Sequence, residues 1–448
     1  MRDLRVVSGS LLALSLVLNG APSAAQEAAS SVTLRSRDAY EQPFPALPEA
    51  ARELFLNGQG IFNRSWVVSP SQDAAFDGLG PLHSRLACVS CHPRNGRGLA
   101  PERPEQRLRS MLIRLSVPGQ DAHGGPLPHP VYGDQLNEEA IPGVPGEGRA
   151  SLHWEEHPYQ FADGGQVTLR RPVVAFNALA YGSLNGVEAS PRVGPLVVGL
   201  GLLEAVPESA LRELAAAAKP DGVRGILNEV YDPVSGQRQV GRFGYKASVA
   251  SVYGQSAKAM LGDLGISSTL YPTQNCSSTQ TACLAASSGG SPEITDTQLE
   301  ALEFYLRHVA VPARRDTEQT SVQAGEGLFT QLGCSHCHVA SLPMPADYPY
   351  ASSIAAYTDL LVHDMGEELA DGGTEYRATA AYWRTTPLWG IGLSAAISGS
   401  AQYLHDGRAR TLTEAILWHG GEAQVVKERF AGLSEAERDA LLAFLQSL

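Results

Sequence analysis

The chain has 448 residues, and its 47 acidic and 34 basic side chains give a net charge of −13 at pH 7. A chain of this length can form two or three domains with cores of their own. The acidic surface argues against nucleic acid and anionic membranes as partners, because both carry negative charge themselves.

The first 25 residues have the pattern of a secretory signal peptide. They combine a short basic start, an apolar stretch over 6–21 and small residues ahead of Gln26. The apolar stretch is shorter than the roughly 18 residues that a membrane-spanning helix needs, and no later apolar stretch in the sequence is long enough. The sequence therefore predicts export to the periplasm, cleavage near Ala25 and a mature protein that does not span the membrane.

Two copies of one cysteine pattern, C-x-x-C-H, dominate the mature chain: Cys88-Val-Ser-Cys91-His92 and Cys334-Ser-His-Cys337-His338. In this pattern two thiols reach the two vinyl groups of one porphyrin, and the adjacent imidazole binds its iron. A single copy is also compatible with a redox-active dithiol or half of a zinc site, but a zinc site needs its ligand pairs much closer in sequence. The pair of motifs therefore predicts two covalently bound haem c groups, with His92 and His338 as iron ligands.

The segment between the two motifs is long and rich in glycine and proline. The loops over 123–148 and an extra segment over 241–266 are predicted to wall the first haem. For the loops over 123–148, solvent-exposed decoration is an equal alternative. A block over 192–201 resembles a second block over 384–392, which indicates an internal repeat.

Cys276 and Cys283 form a separate pair in a polar loop, with six residues between them. In an oxidising compartment such a pair closes as a disulfide that pins the loop. A reactive dithiol is the alternative, although neither C-x-x-C spacing nor an electropositive setting is visible. The sequence therefore predicts a structural disulfide.

Helices of one design are predicted to close each half of the chain, over 294–306 and 433–445. Each begins with a hydroxyl cap, Thr295 or Ser434, followed by acids and by apolar residues at helical spacing. A further helix over 322–333 leads into the second motif. An entry helix, a haem motif, covering loops and a closing helix are the plan of cytochrome c.

The predicted fold is therefore mainly α, with two cytochrome c-like domains in tandem and the first domain enlarged by loop-rich insertions. A charged, proline-containing segment over 307–320 indicates the linker. The predicted units are the signal peptide 1–25, an N-terminal haem domain 26–312 and a C-terminal haem domain 313–448.

Several further blocks of sequence point to a known family: Gly78-Leu-Gly-Pro-Leu, Gly199-Leu-Gly-Leu-Leu-Glu-Ala, Arg242-Phe-Gly-Tyr-Lys-Ala, Asp359-Leu-Leu-Val-His-Asp-Met-Gly, Trp383-Arg-Thr-Thr-Pro-Leu-Trp-Gly and Leu404-His-Asp-Gly-Arg-Ala-Arg-Thr-Leu-Thr-Glu-Ala-Ile-Leu-Trp-His-Gly-Gly-Glu-Ala. They resemble the di-haem oxidoreductase family, also labelled thiol oxidoreductases, which is related to the bacterial di-haem cytochrome c peroxidases and MauG-type enzymes. The resemblance covers nearly the whole mature chain. It implies two cytochrome c domains, in which one haem passes electrons and the other reacts with a peroxide or an oxidisable substrate.

The chain departs from the related peroxidases at one ligand position. There a methionine before His-Asp-Gly binds the C-terminal haem, whereas this chain has Leu404, which has no donor atom. Met365, in a glycine-bearing turn of the same unit as His338, is the candidate replacement, and His363 is its rival. Thioether ligation would raise the potential of that haem and suit it to electron relay. Candidates near the first haem, each more typical of a structural residue, are Met260, His83 and His123.

Peroxide cleavage needs an acid–base group near an open iron, and Glu204 is the candidate because it follows the repeated block. A helix-start carboxylate without a catalytic task is the alternative. Trp389 is a candidate stepping stone between the haems, although most buried tryptophans simply pack. Arginines predicted to pair with haem propionates or structural carboxylates are Arg192, Arg384 and Arg408.

The leading functional hypothesis is a di-haem oxidoreductase with peroxidase-like chemistry. Electrons from a small soluble cytochrome or similar donor would enter at the C-terminal haem, and peroxide or an unknown oxidisable substrate would react at the N-terminal haem. One alternative is an electron-transfer cytochrome in which both irons are six-coordinate and no substrate binds. Another is the oxidation of a protein or thiol partner through a surface residue. The ligation state of the first haem distinguishes these hypotheses, because an electron carrier has a six-coordinate iron there and a peroxidase-like enzyme has an open one.

Overall fold

The computed structural model describes residues 29–448, and the predicted signal peptide lies outside them. Within this part of the chain eleven α-helices are interspersed with fifteen strands. None of these helices has both the length and the apolar character that a membrane crossing requires.

The helices are α1 Glu49–Asn63, α2 Leu200–Ala205, α3 Glu208–Ala216, α4 Val252–Leu264, α5 Thr281–Leu284, α6 Asp296–Arg307, α7 Thr320–Leu332, α8 Ser394–Ser398, α9 Leu412–Leu417, α10 Gln424–Ala431 and α11 Glu435–Ser447. The strands are β1 Ser31–Val32, β2 Leu82–His83, β3 Met111–Gln120, β4 Pro126–Leu127, β5 Glu139–Ala140, β6 Arg149–Gln160, β7 Gln166–Asn177, β8 Glu188–Val193, β9 Glu229–Asp232, β10 Gln237–Val240, β11 Val311–Pro312, β12 Leu342–Pro343, β13 Ser353–Ile354, β14 Val362–Asp364 and β15 Tyr382–Arg384.

The prediction of a mainly α fold is wrong. The structure is mixed, with 30% helix and 20% strand, and its strands form several small sheets. The longest strands flank the loops predicted over 123–148: β3 pairs antiparallel with β8, and β6 pairs antiparallel with β7 along its whole length. Valine, threonine and phenylalanine in β7 favour a strand, and Asp163-Gly164-Gly165 supplies the turn before it. Glycines in this segment therefore mark turns between strands.

Two pairs of crossed helices carry the closest packing. α1 packs on α6, and α7 packs on α11. A Cβ atom at Gly58 of α1 would lie 1.9 Å from the carbonyl oxygen of Ala301, and a Cβ atom at Gly325 of α7 would lie 2.0 Å from that of Ala440. Both crossings therefore require a glycine where the two backbones meet.

The predicted closing helices and their caps are confirmed. The Thr295 side chain accepts a hydrogen bond from the backbone of Gln298, and the Ser434 side chain accepts one from Glu437. In both cases the side chain of the third residue after the cap accepts a hydrogen bond from the backbone nitrogen of the cap, which completes a capping box. The entry helix predicted over 322–333 is α7, which ends at Gly333 in the left-handed conformation.

The β6–β7 hairpin joins two cores. Near its base, Leu152 is fully buried beneath the β3–β8 sheet. At its other end, Phe161 and Leu169 belong to the core formed with α7, α9 and α11. The hairpin therefore connects the part of the chain around the first motif with the core of the second.

The loop containing Cys276 and Cys283 is tied to the interior. The two Sγ atoms are bonded, with a Cα–Cα distance of 5.7 Å. Between them, Gln280 is completely buried, and its Nε2 atom donates to Glu147 at 2.6 Å. The oxidation state of the pair in the cell stays a prediction.

Candidate functional site

The first C-x-x-C-H motif forms one tight turn at the end of a cavity. The backbone nitrogen of His92 donates to the carbonyl of Cys88 at 3.0 Å, so the imidazole projects from the same turn as the thiols. His92 Nδ1 donates to the carbonyl of Pro195 at 2.7 Å. A carbonyl can only accept, so the proton lies on Nδ1 and the Nε2 lone pair is free. Burial lowers the pKa of His92 to about 4, which keeps the imidazole neutral.

The second motif has the same geometry. The backbone nitrogen of His338 donates to Cys334 at 3.0 Å. His338 Nδ1 donates to the carbonyl of Tyr357 at 2.9 Å, which again leaves Nε2 free. Burial lowers the pKa of His338 to about 4, and the neighbouring His419 contributes in the same direction. Both imidazoles are therefore held in the form that binds iron.

An equivalent aromatic ring lies beside each of these imidazoles. The rings of Phe62 and His92 are 6.3 Å apart, and those of Phe329 and His338 are also 6.3 Å apart. Each phenylalanine belongs to the entry helix of its motif and lies four residues after the glycine at the helix crossing. Phe62 and Phe329 therefore occupy equivalent positions relative to the helix crossing and to the imidazole.

Each motif faces its own cavity. The first cavity, about 240 Å³, contains Cys88, Cys91 and His92 in its wall. The second, about 220 Å³, contains Cys334, Cys337 and His338. Both walls are mostly apolar, as a pocket for a porphyrin requires.

A single layer of side chains separates the two cavities. The residues that line both are Leu196, Tyr245, Arg384, Thr386, Pro387 and Trp389. Trp389 is 5% exposed and packs against Gly199, where a Cβ atom would lie 2.6 Å from the indole. The predicted stepping stone therefore lies in the shared wall.

The arginines named from the sequence have different partners. Arg192 pairs with Glu375 at 2.6 Å, and Arg408 donates to Asp406 at 2.8 Å. Within residues 29–448 Arg384 has no carboxylate partner, although its Nε donates to the carbonyl of Gly244 at 3.0 Å. Its Nη1 atom is buried without a hydrogen-bond partner in the described part of the chain, and burial lowers the pKa of Arg384 to about 10. A buried guanidinium with a free Nη1 donor, in the wall shared by the two cavities, fits a haem propionate.

The segment over 241–266 contributes a wall of the first cavity, as predicted, mostly through residues of α4 and the turn before it. The loops over 123–148 contribute little more than Pro126 and Asp134. Residues from the C-terminal half complete the wall, among them Glu375.

Glu204 does not line the first cavity. Its Oε1 atom accepts a hydrogen bond from the backbone nitrogen of Val252, at 2.8 Å, and so caps α4. Its Oε2 atom pairs with Arg307 at 2.9 Å. The structure thus places the predicted acid–base group between helices, in the structural role that the sequence left open.

The sequence-based ligand candidates for the first haem lie outside the cavity wall. Met260 is buried in the main core, and His83 bonds the carbonyl of Gly80 through Nδ1. His123 stacks on Tyr231. Among the described residues, the wall of the first cavity contains His92 but no second imidazole and no thioether.

The second cavity is rich in potential ligands. Met365 lies in its wall, together with His363, His405 and His419. Both nitrogens of His363 are engaged: Nε2 bonds Asp359 at 3.0 Å, and Nδ1 bonds Glu422 at 2.8 Å. Burial opposes charge on His363, but these hydrogen bonds raise its pKa to about 11, so the ring is cationic. A cationic imidazole has no lone pair for iron.

Several cavity residues were missed by the sequence analysis. Glu375 and Asp263 line the first cavity, and His419 lines the second. Of these, His419 carried a readable signal, because it begins the His-Gly-Gly-Glu turn of the most specific sequence block. Glu375 and Asp263 are isolated in sequence from both motifs, so only the fold brings them to the wall.

One comparison with known proteins, the match to a family model, agrees with the presence of two haem motifs. Residues 23–448 match the family described as "di-haem oxidoreductase, putative peroxidase". No curated protein matches the sequence. Among solved structures, a hydrazine synthase from Kuenenia stuttgartiensis is similar over 100% of both chains, at 14% identity and a TM-score of 0.33. A likeness that weak carries no argument.

Proposed function

Because the chain belongs to the di-haem oxidoreductase family, we propose that it is an exported peroxidase-like enzyme with two covalently attached haem c groups. A peroxide reacts in the first cavity. Electrons enter at the second cavity from a small soluble cytochrome or a similar donor. Each turnover takes two electrons and two protons and converts hydrogen peroxide into two molecules of water.

The two motifs and the shared wall are suited to hold the haems. Each pair of thiols would form the thioether bonds, His92 and His338 would bind iron through Nε2, and Arg384 would pair with a propionate. When bound, haem iron supplies one-electron redox chemistry and the cleavage of peroxide. The protein's own residues would position the haems, shield them from solvent and neutralise the propionate charge.

The difference between the two cavities carries the proposal. The wall of the first cavity offers His92 but, among the described residues, no second imidazole or thioether. The wall of the second cavity offers several. An open face suits a site that binds a small oxidant, whereas a pair of ligands suits a site that relays electrons. Trp389 lies in the wall between them and provides a short path.

Proton transfer in the first cavity is assigned to Asp263. Its carboxyl group lies in the cavity wall and accepts a hydrogen bond from Gln135 at 3.0 Å. Burial raises the pKa of Asp263, which brings it towards the working pH that an acid–base group needs. Glu375, in the same wall, is held ionised by Arg192 and is less suited to hold a proton.

The main test uses the full chain produced in a host that matures c-type cytochromes. Pyridine haemochrome analysis and mass spectrometry should give two haems per chain, and the mature product should begin near Gln26. Magnetic spectroscopy should show one haem with an open face, and peroxide should be consumed with a reduced small cytochrome as donor. If both irons are low-spin in every redox state and peroxide changes nothing, the electron-transfer alternative replaces the enzyme. If turnover requires a macromolecular partner, oxidation of that partner replaces peroxide reduction.

A pair of variants tests the proton-transfer assignment. Asp263→Asn should slow the peroxide step by about 10²- to 10⁴-fold, the usual effect of losing an acid–base group, with haem content unchanged. Glu204→Gln is the comparison. If Glu204→Gln slows the step and Asp263→Asn does not, the role returns to Glu204.

A further inference from the structure

We propose that His419 is the second axial ligand of the haem in the second cavity, which with His338 makes that iron a bis-imidazole site. The inference rests on the proposed function, since it requires a haem attached to Cys334 and Cys337. It replaces the thioether that the sequence suggested with a ligand from the His-Gly-Gly-Glu turn.

The hydrogen bonding of His419 matches that of the two motif histidines. Its Nδ1 atom donates to the carbonyl of Ala415 at 2.7 Å, one helical turn back at the end of α9. The proton is therefore on Nδ1, and the lone pair is on Nε2. The ring lies in the wall of the second cavity, and Nε2 has no hydrogen-bond partner in the described residues. His92 and His338 are prepared for iron in the same way, by a backbone carbonyl on Nδ1.

The other two imidazoles of the cavity are less available than His419. His363 is held by two carboxylates, as described above. His405 stacks on Trp383 with ring centroids 3.6 Å apart, and its Nε2 atom lies 3.4 Å from Asp406. That Nε2 atom is buried, without a hydrogen-bond partner among the described residues. Binding iron would cost His405 its stacking contact.

The turn after His419 is locked against the segment that carries Met365. A Cβ atom at Gly420 would lie 2.9 Å from the Met365 carbonyl oxygen, and one at Gly421 would lie 2.3 Å from that of Asp364. Gly421 also has a φ of +54°, which favours glycine. The two glycines therefore let the His419 turn lie directly on the 364–366 backbone.

Glu422 anchors the far end of this turn. Its Oε2 atom accepts hydrogen bonds from the backbone nitrogens of Arg224, at 2.8 Å, and Gly225, at 3.0 Å, and from His363. Glu422 and His363 are thus positioning residues that hold His419 in place. A ligand fixed before the metal arrives binds without an ordering cost.

The test compares ligand variants of the full-length holoprotein, with Met365→Leu as the matched control. The wild type should show low-spin imidazole ligation at one haem and no sulfur-to-iron charge-transfer band. His419→Met should introduce that band and raise the potential of one haem, because thioether ligation favours the reduced state. His419→Gly should make that haem high-spin, and added imidazole should restore the low-spin spectrum. Met365→Leu should leave the spectrum unchanged.

Any other result decides against His419 as the ligand or against the proposed function. A sulfur-to-iron band in the wild type that Met365→Leu removes would assign the ligand to Met365. An unchanged spectrum in His419→Gly would also refute the inference. Haemochrome analysis separates failure of this inference from failure of the proposed function. Fewer than two haems in the wild type would overturn the proposed function. Two haems, with ligation that is unaltered in His419→Gly, would overturn only the assignment of His419 as a ligand. A His419→Gly protein that does not fold leaves the wild-type band as the deciding measurement.

Discussion

Arg192 and Glu375 form a buried ion pair in the wall of the first cavity, with side chains that are 11% and 12% exposed. Glu375→Gln would leave the Arg192 charge buried without its close partner. Breaking such a pair costs about 3–5 kcal/mol, so the variant should lose this much of the free energy of unfolding in chemical denaturation. Glu155→Gln is the control, because the Arg171–Glu155 pair is exposed and should contribute less than about 1 kcal/mol. Equal losses in the two variants would contradict this account.

The same pair predicts a response to acid. Burial alone would raise the pKa of Glu375, but the charge of Arg192 holds it at about 2, below its usual 4.5. A group with a lowered folded pKa stabilises the protein fully above its unfolded pKa and loses that contribution as the pH falls through the folded value. Stability should therefore decline from about pH 4.5 towards pH 2, by up to about 3 kcal/mol from this residue. Denaturation curves across this range should show a shallower decline in Glu375→Gln.

At the scale of single residues, the sequence was informative where covalent chemistry fixes the spacing. The two motifs identified both imidazoles, because thiol and ligand must share one turn. Glu204 shows the limit of this reasoning: a carboxylate near a repeated block can cap a helix as readily as it can face a cavity. Its partners, Val252 and Arg307, are distant in sequence, so only the fold reveals its role.

At the scale of elements, the two entry helices share a sequence that predicts opposite effects of two neighbouring substitutions. The common pattern is Gly58-Gln-Gly60-Ile-Phe62 and Gly325-Glu-Gly327-Leu-Phe329. The first glycine of each lies at a helix crossing, and nothing lies within 4 Å of a Cβ atom at the second. Gly58→Ala should therefore destabilise the fold by about 1–3 kcal/mol or more through overpacking. Gly60→Ala should stabilise it by up to about 1 kcal/mol, because alanine favours a helix.

Thermal denaturation of both variants measures this contrast, and Gly325→Ala with Gly327→Ala repeats it in the other helix pair. A neutral Gly58→Ala would mean that the crossing relaxes without cost. The shared pattern also shows how α1 escaped the sequence analysis. α1 lies far upstream of Cys88, whereas α7 directly precedes the second motif. Only a helix that directly precedes its motif matches the plan of cytochrome c used in the sequence analysis.

The elements that sequence patterns identified best were those with local signals at both ends. α6 and α11 have complete capping boxes and apolar stripes, and their bounds differ from the predicted ones by about two residues. The β6–β7 hairpin has a turn signal at its tip, but charged residues interrupt the alternation of its strands. Its strands are stabilised mainly by pairing with each other, which composition does not reveal.

The disulfide loop yields a further prediction at this scale. Closing a loop of eight residues stabilises a fold by about 2–3 kcal/mol, so replacing both Cys276 and Cys283 with serine should lower the free energy of unfolding by that amount. Haem content should not change. Alkylation without reductant should leave both thiols unmodified in the wild type, and free labelling would contradict the disulfide.

At the scale of the whole molecule, several contacts bind the N-terminal and C-terminal halves together. The Arg192–Glu375 pair joins the two units predicted from the sequence, 26–312 and 313–448. Lys246 donates to the carbonyls of Thr379, Ala380 and Tyr382 at 2.9–3.0 Å. The walls of both cavities draw on both halves. The predicted boundary between 312 and 313 stays a prediction, and the cavities depend on contacts across it.

The tip of the β6–β7 hairpin offers a direct test of this coupling. Phe161 is 5% exposed, packs edge-on against Phe430 of α10, and lies beneath the guanidinium of Arg438 at 4.2 Å. Phe161→Ala should cost about 3–5 kcal/mol, and the loss should appear as faster amide exchange in α10 and α11. Val173→Ala, on the same hairpin but 39% exposed, should change stability by less than about 0.5 kcal/mol. If exchange in α10 and α11 is unaffected by Phe161→Ala, the hairpin does not couple the halves, and the second core is stable without it.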